Sequence, residues 1–155
     1  MEDKYLKQLK EFFEAREVCS KAAKPLRDSA SAEIAIPVEN KTYTFQRKDK
    51  KNVVSAGKPS DPDLYFALTP KALEELINYD SDEIGDWGVK VFSLIFTKDI
   101  EKKIVIKIKT GLLKLTFKGY LGIIPLGGAG LMKYLAKNGF SSLGKIKDAL
   151  TKAKD

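Results

Sequence analysis

Apolar and polar residues alternate with two different periods along this chain, and the switches between them mark its elements. Over 1–24, Tyr5, Leu9, Phe12, Phe13, Cys19 and Ala23 recur near helical spacing, with Lys4, Lys7, Lys10, Glu11 and Glu14 on other faces. This predicts one N-terminal amphipathic helix, which Pro25 ends because it disfavours helical geometry at Lys24. Over 31–69 the period becomes two. Ala32, Ile34, Ile36 and Val38 alternate with Glu33 and Glu39, and Tyr43 and Phe45 with Thr42, Thr44 and Gln46. Val53-Val54 is a short run, and past the breaker-rich loop 57–63 Leu64, Phe66 and Leu68 share one face. Four strands are expected in this segment. Thr69-Pro70 then offers a capping hydroxyl and a first-turn proline, starting the first of two helices over 70–97. The second carries Ile84, Trp87, Val91, Leu94 and Ile95 on one stripe, widened by Phe92 and Phe96 beyond what one sheet contact needs.

Over 102–120 the period of two returns. Ile104, Ile106 and Ile108 face away from Lys103, Lys107 and Lys109, and Leu113, Leu115 and Phe117 face away from Lys114, Thr116 and Lys118. Two strands of an antiparallel hairpin are expected, turning near Gly111 with Phe117 in the core. Tyr120, Leu121, Ile123, Ile124, Pro125 and Leu126 then form an irregular apolar segment. Leu131, Met132 and Leu135 fit a helix closed by Asn138-Gly139, and Leu143, Ile146 and Leu150 a terminal basic helix, which gives C-terminal helices over 128–153. The fold class expected is α+β: a single antiparallel sheet of five to six strands, covered on one face by helices, within one domain spanning 1–155.

Composition narrows the chemistry. With no histidine and one cysteine, Cys19, the chain excludes Ser-His and Cys-His nucleophile pairs, ordinary zinc sites and internal disulfides. No apolar run approaches the ~18 residues of a membrane span, and no secretory signal pattern opens the chain, so a cytoplasmic location is expected. The net charge of +7 is concentrated late: residues 98–155 hold 13 lysines against four acidic residues, so residues 1–97 are net negative. That asymmetry fits an anionic lipid surface or nucleic acid as well as a solvated face. Gly127-Gly128-Ala129-Gly130 lacks the lysine-serine or lysine-threonine pair of a phosphate loop, and Lys133 stands where the dinucleotide fingerprint needs its last glycine. Asp61 and Asp63, and Asp80, Asp82, Glu83 and Asp86, are carboxylate groups that helix starts and loops use for structural reasons as readily as for catalysis. The expectation is no enzyme, no metal and no cofactor.

The order of elements carries a resemblance. The strands SAEIAIPV, KTYTFQRK and NVVSAG, the loop PSDPD and the run DLYFALTPKALEELI from Asp63 to Ile77 resemble the sterol carrier protein domain over roughly Ser31 to Leu135. The resemblance implies a sterol carrier protein-like fold that holds sterols, fatty acids, acyl chains or phospholipids in an apolar tunnel between a five-stranded sheet and its helices. Independently, the surplus apolar faces nominate lining residues: Trp87, Val91, Phe92 and Ile95 from the broad helix, and Leu121, Ile123, Ile124, Leu131, Met132 and Leu135 from the late segment. Lys145, Lys147 and Lys152 of the terminal helix are the candidate contacts for an anionic membrane. The function expected is non-enzymatic binding or transfer of a lipid or sterol. The alternatives are a basic nucleic-acid-binding domain and a domain whose apolar groove receives a protein helix.

Overall fold

The computed structural model describes residues 3–139. Its centre is a five-stranded sheet of β1 (Ser31–Ile36), β2 (Lys41–Lys48), β3 (Lys51–Ala56), β4 (Leu64–Leu68) and β5 (Ile104–Ile108), in the order β3-β2-β1-β4-β5. β2 and β3 form a tight hairpin in which Lys48 pairs with Lys51 and both central residues, Asp49 and Lys50, take left-handed conformations. That is the two-residue turn whose twist matches flanking strands. The β1–β2, β2–β3 and β4–β5 pairs are antiparallel, whereas β1 and β4 run parallel. The sheet is therefore mixed, not wholly antiparallel as the hairpin patterns implied. The physical reason is that the 57–63 loop carries the chain back past β1 rather than turning it beside β3.

The alternation of each strand puts one row of side chains inside. Val54, Phe45, Ala32, Leu64 and Ile108 form one cross-strand row, and Ile34, Phe66 and Ile106 part of the next, the inward face on which the helices lie. α3 (Pro70–Asn78) starts as predicted, with the Thr69 hydroxyl accepting from the Ala72 amide at 3.0 Å. α4 (Ile84–Phe96) lies between two clusters: Trp87 and Leu94 face the main core, while Val89, Phe92 and Phe96 pack on a smaller cluster of Ile124, Leu131 and Leu135. This accounts for its broad apolar face. Lys103 Nζ donates to the carbonyls of Ile95 at 2.6 Å and Thr97 at 3.1 Å, satisfying the end of α4 before β5 begins.

Three segments depart from the sequence expectation. The single N-terminal helix is broken into α1 (Lys4–Lys10), a wide π-type turn (Glu11–Ala15) and α2 (Glu17–Ala22), because Arg16 is extended at φ −79°, ψ 125°. From there the Arg16 guanidinium donates to the carbonyls of Leu76, Tyr79 and Ile77 at the end of α3, and lies 5.1 Å from the Trp87 ring centroid. The second strand of the 102–120 hairpin is instead a helix, α5 (Leu112–Phe117): Leu115 is buried, but Leu113 and Phe117 are exposed, Phe117 lying under the Arg27 guanidinium at 4.4 Å. Val38 lies in a short 3-10 turn past β1 and is exposed. Beyond α5, two 3-10 turns (Tyr120–Gly122 and Ile124–Gly127) lead into α6 (Gly128–Lys137), which ends at Gly139 with φ +92°. The predicted terminal helix, with Leu143, Ile146 and Leu150, lies outside the described residues.

Candidate functional site

Between the inward sheet face and the helices lies an apolar cavity of about 250 Å³. Its floor is the sheet, through Ala32, Ile34, Phe45, Leu64, Phe66, Leu68 and Ile104; its roof is Phe12, Phe13, Cys19, Ala22, Ala23 and Leu26, with Leu76, Val91, Tyr120 and Ile123 around the rim. A second cavity of about 210 Å³ lies between α2, α4 and the start of α6, lined by Val18, Ile84, Trp87, Gly88, Phe92, Ile124 and Leu131 among others. Phe12, Cys19, Ala22, Val91 and Ile123 line both, so the two spaces are separated by a partition one side chain thick. Two of those five are small, because the broken N-terminal segment brings α2, not α1, over this point.

The polar groups at the inner cavity are turned to other partners. Asn52 Nδ2 donates to the carbonyls of Phe13 at 2.9 Å and Cys19 at 3.3 Å, tying β3 to the helical roof. Tyr120 Oη shares its single proton between Asp63 Oδ2 at 2.8 Å and the Ser31 carbonyl at 3.1 Å. Asp63, almost wholly buried, also accepts from the Ser31 amide and from Lys118 Nζ at 2.9 Å. Burial, and then the bond to Asp63, push the Tyr120 hydroxyl well above its ordinary value, so it stays a donor. Asp63, one of the carboxylates flagged in the sequence, is thus a structural knot joining β1, β4 and the chain beyond α5. Burial pushes the Cys19 thiol up to about 12, and a neutral thiol in an apolar wall is a poor nucleophile.

A larger cleft of about 330 Å³ runs beside Arg16, Asn78, Tyr79, Asp80 and Asp82. It is a polar surface cleft, and the Arg16 donors it shows are already committed to the α3 carbonyls. Volume alone does not make it the site.

Of the residues nominated from the sequence, Val91 and Ile123 line both cavities, and Trp87, Phe92, Ile124 and Leu131 line the outer one. Ile95 is partly buried against the main core, Leu121 is buried in its 3-10 turn, and Leu135 and Met132 pack in the α6 cluster; these four do not line either cavity. Lys145, Lys147 and Lys152 lie outside the described residues. The whole floor and the α1–α2 roof were not nominated. Close packing accounts for the glycine at 127, since a Cβ there would fall 2.3 Å from Leu131 Cδ2 and one on Gly85 of α4 would fall 2.4 Å from the Gly127 carbonyl oxygen, whereas Gly128 takes a positive φ of +72°. No helix among the described residues is long and apolar enough to cross a membrane.

No protein-family model matches the sequence, and no curated protein matches it either. Among solved structures, the fold is similar to one described as "UbiJ-SCP2 Ubiquinone synthesis protein", at 10% identity and a TM-score of 0.44, over 79% of this chain and 91% of that one. At that identity the ligand of the other protein does not transfer to this chain.

Proposed function

We propose that this protein is a non-enzymatic carrier that holds the hydrocarbon part of a lipid or sterol between its sheet and its helices. The observation that carries the reading is the pair of adjoining apolar cavities, whose lining offers hydrocarbon, a neutral thiol and no polar group without a protein partner. Each is larger than the ~150 Å³ dry cavity that accepts a benzene ring in an engineered protein. A methylene takes roughly the ~30 Å³ share of a water molecule, so the inner cavity accommodates on the order of eight. At about 0.8 kcal/mol each, their transfer from water supplies on the order of 6 kcal/mol before the costs of association, and a chain continuing past Ala22 into the outer cavity gains more. Native cores rarely leave so much space unfilled, because each void forfeits dispersion contacts.

Loading at a membrane is part of this proposal. Exposed Leu113 and Phe117, i and i+4 on α5 beside Lys114, form a small basic apolar face that fits weak, reversible, charge-driven docking on anionic bilayers. The test of the carrier reading is mass spectrometry of an organic extract of protein purified without detergent. Lipid or sterol at a substantial fraction of the protein's molar amount is the expected result, and an extract empty of both would oppose it.

A further inference from the structure

The inward row of β2 runs Tyr43, Phe45, Arg47. Phe45 lines the inner cavity, and Arg47, next on the same face, is only 4% exposed. Its partner in register on β3 is Asn52, which also lines the cavity. Arg47 Nη1 donates to Asn52 Oδ1 at 2.7 Å, which places the guanidinium one hydrogen bond behind the cavity wall. Its Nε is buried with no hydrogen-bond partner among the described residues.

Among the described residues no carboxylate pairs with Arg47. The ion pairs among the described residues are made by Lys21, Lys41, Lys71, Lys90, Lys114 and Lys118, and none by Arg47. Elsewhere the partly buried cations have fuller sets of partners: Lys118, 12% exposed, meets Asp63, and Arg16 and Lys103 each donate to two or more backbone carbonyls. A guanidinium is charged at any physiological pH, and one neutral amide oxygen does not offset its loss of water. An apolar cavity with an uncompensated buried cation one hydrogen bond behind its wall, at Asn52, is complementary to an amphiphile with a negative end.

We propose that the ligand is a lipid with an anionic head group, of which a carboxylate is the simplest, and that Arg47 is its counter-ion at the Asn52 end of the inner cavity. This rests on the carrier reading above and adds the charge of the cargo. The hydrocarbon lies along Phe45, Ala32 and Ile34, and the carboxylate takes the open Nε–H of Arg47, with Asn52 turning to admit it. A charge-assisted bond there is stronger than any a neutral head group makes. A sterol or alcohol hydroxyl can accept one hydrogen bond at this place but leaves the charge uncompensated.

The test is displacement of the neutral fluorophore N-phenylnaphthylamine from the full chain by palmitic acid and by hexadecanol, which share one chain length and differ in the head group. The acid should act at about tenfold lower concentration or better than the alcohol. Arg47→Met should abolish that preference, weakening displacement by the acid far more than displacement by the alcohol, and Arg47→Lys, which keeps the charge without the planar fork, should retain part of it. Equal displacement by acid and alcohol in the wild type overturns the inference while leaving the carrier reading in place, and this comparison needs no variant to fold. Persistence of the preference in a folded Arg47→Met protein overturns it also. Displacement by neither ligand overturns the carrier reading and the inference with it.

Discussion

On the sheet side of the inner cavity, Ala32, Ile34, Phe45, Leu64 and Phe66 sit on strands that are hydrogen-bonded on both edges. On the helical side, Phe12, Phe13, Cys19 and Ala22 come from short pieces of helix, widened to a π-type turn over Glu11–Ala15 and broken at Arg16. The two walls meet through a few side-chain bonds to backbone: Asn52 to the carbonyls of Phe13 and Cys19, Glu14 Oε2 accepting from the Val54 amide at 2.7 Å, and Arg16 to the end of α3. With a floor fixed by ladders and a roof held by a handful of bonds, the roof is the half that the proposed carrier would have to move to admit a ligand. Short helices are marginal alone and owe their order to packing, so the roof is the low-stability half.

The comparison breaks most sharply at Ile34, 1% exposed on a strand with neighbours on both sides. Ile34→Asp places a carboxylate on the fixed floor, and a loss of stability on the order of 4 kcal/mol or more is expected, read as loss of the cooperative melt in circular dichroism. On the roof the expected response is of another kind. Ala22 faces both cavities, so Ala22→Phe should fill the space between them and weaken binding of an apolar fluorophore about tenfold. The melting temperature should hold or rise, because the added ring meets void. In a fully packed interior the same change would cost about 1–3 kcal/mol, so a lower melting temperature with binding intact would mean that no usable space lies there. The smallest effect is expected away from both walls: Thr69→Ala removes the α3 cap and should cost about 1 kcal/mol in urea unfolding with ligand affinity unchanged.

The floor's strands were legible because alternation is a local signal: Ala32, Ile34 and Ile36 declare one face wherever the partner strand lies. The parallel pairing of β1 with β4 was not, since it depends on the path of the 57–63 loop. The same local signal misled at α5, where Leu113, Leu115 and Phe117 alternate as a strand would. What decides that segment is distant: Lys118 must reach Asp63, and Tyr120 must reach Asp63 and the Ser31 carbonyl. The break at Arg16 has a similar origin, for helical spacing averaged across it and only the carbonyls ending α3 explain it. For the site, the broad stripe of α4 pointed to Trp87, Val91 and Phe92 because it exceeded what one contact needs. Ile34 and Phe45 gave no such surplus. Burying an inward strand residue releases the same hydration free energy whether it meets a side chain or a ligand chain. Arg47 is legible as a charge inside an alternating strand, in phase with an inward phenylalanine, but its want of a counter-ion among the described residues is a tertiary fact.

The central claim, that a hydrocarbon chain lies between floor and roof, is tested most directly through Trp87, the sole tryptophan, which lines the outer cavity and meets Phe12 edge-to-face at 5.2 Å. Its fluorescence should be followed while a fatty acid brominated along its chain is added, with the unbrominated acid as control. Saturable quenching by the brominated chain at about one equivalent per protein, reversed by excess unbrominated acid, is expected, as one bound chain per cavity system requires. Quenching that never saturates, or that the unbrominated acid cannot reverse, would contradict the claim.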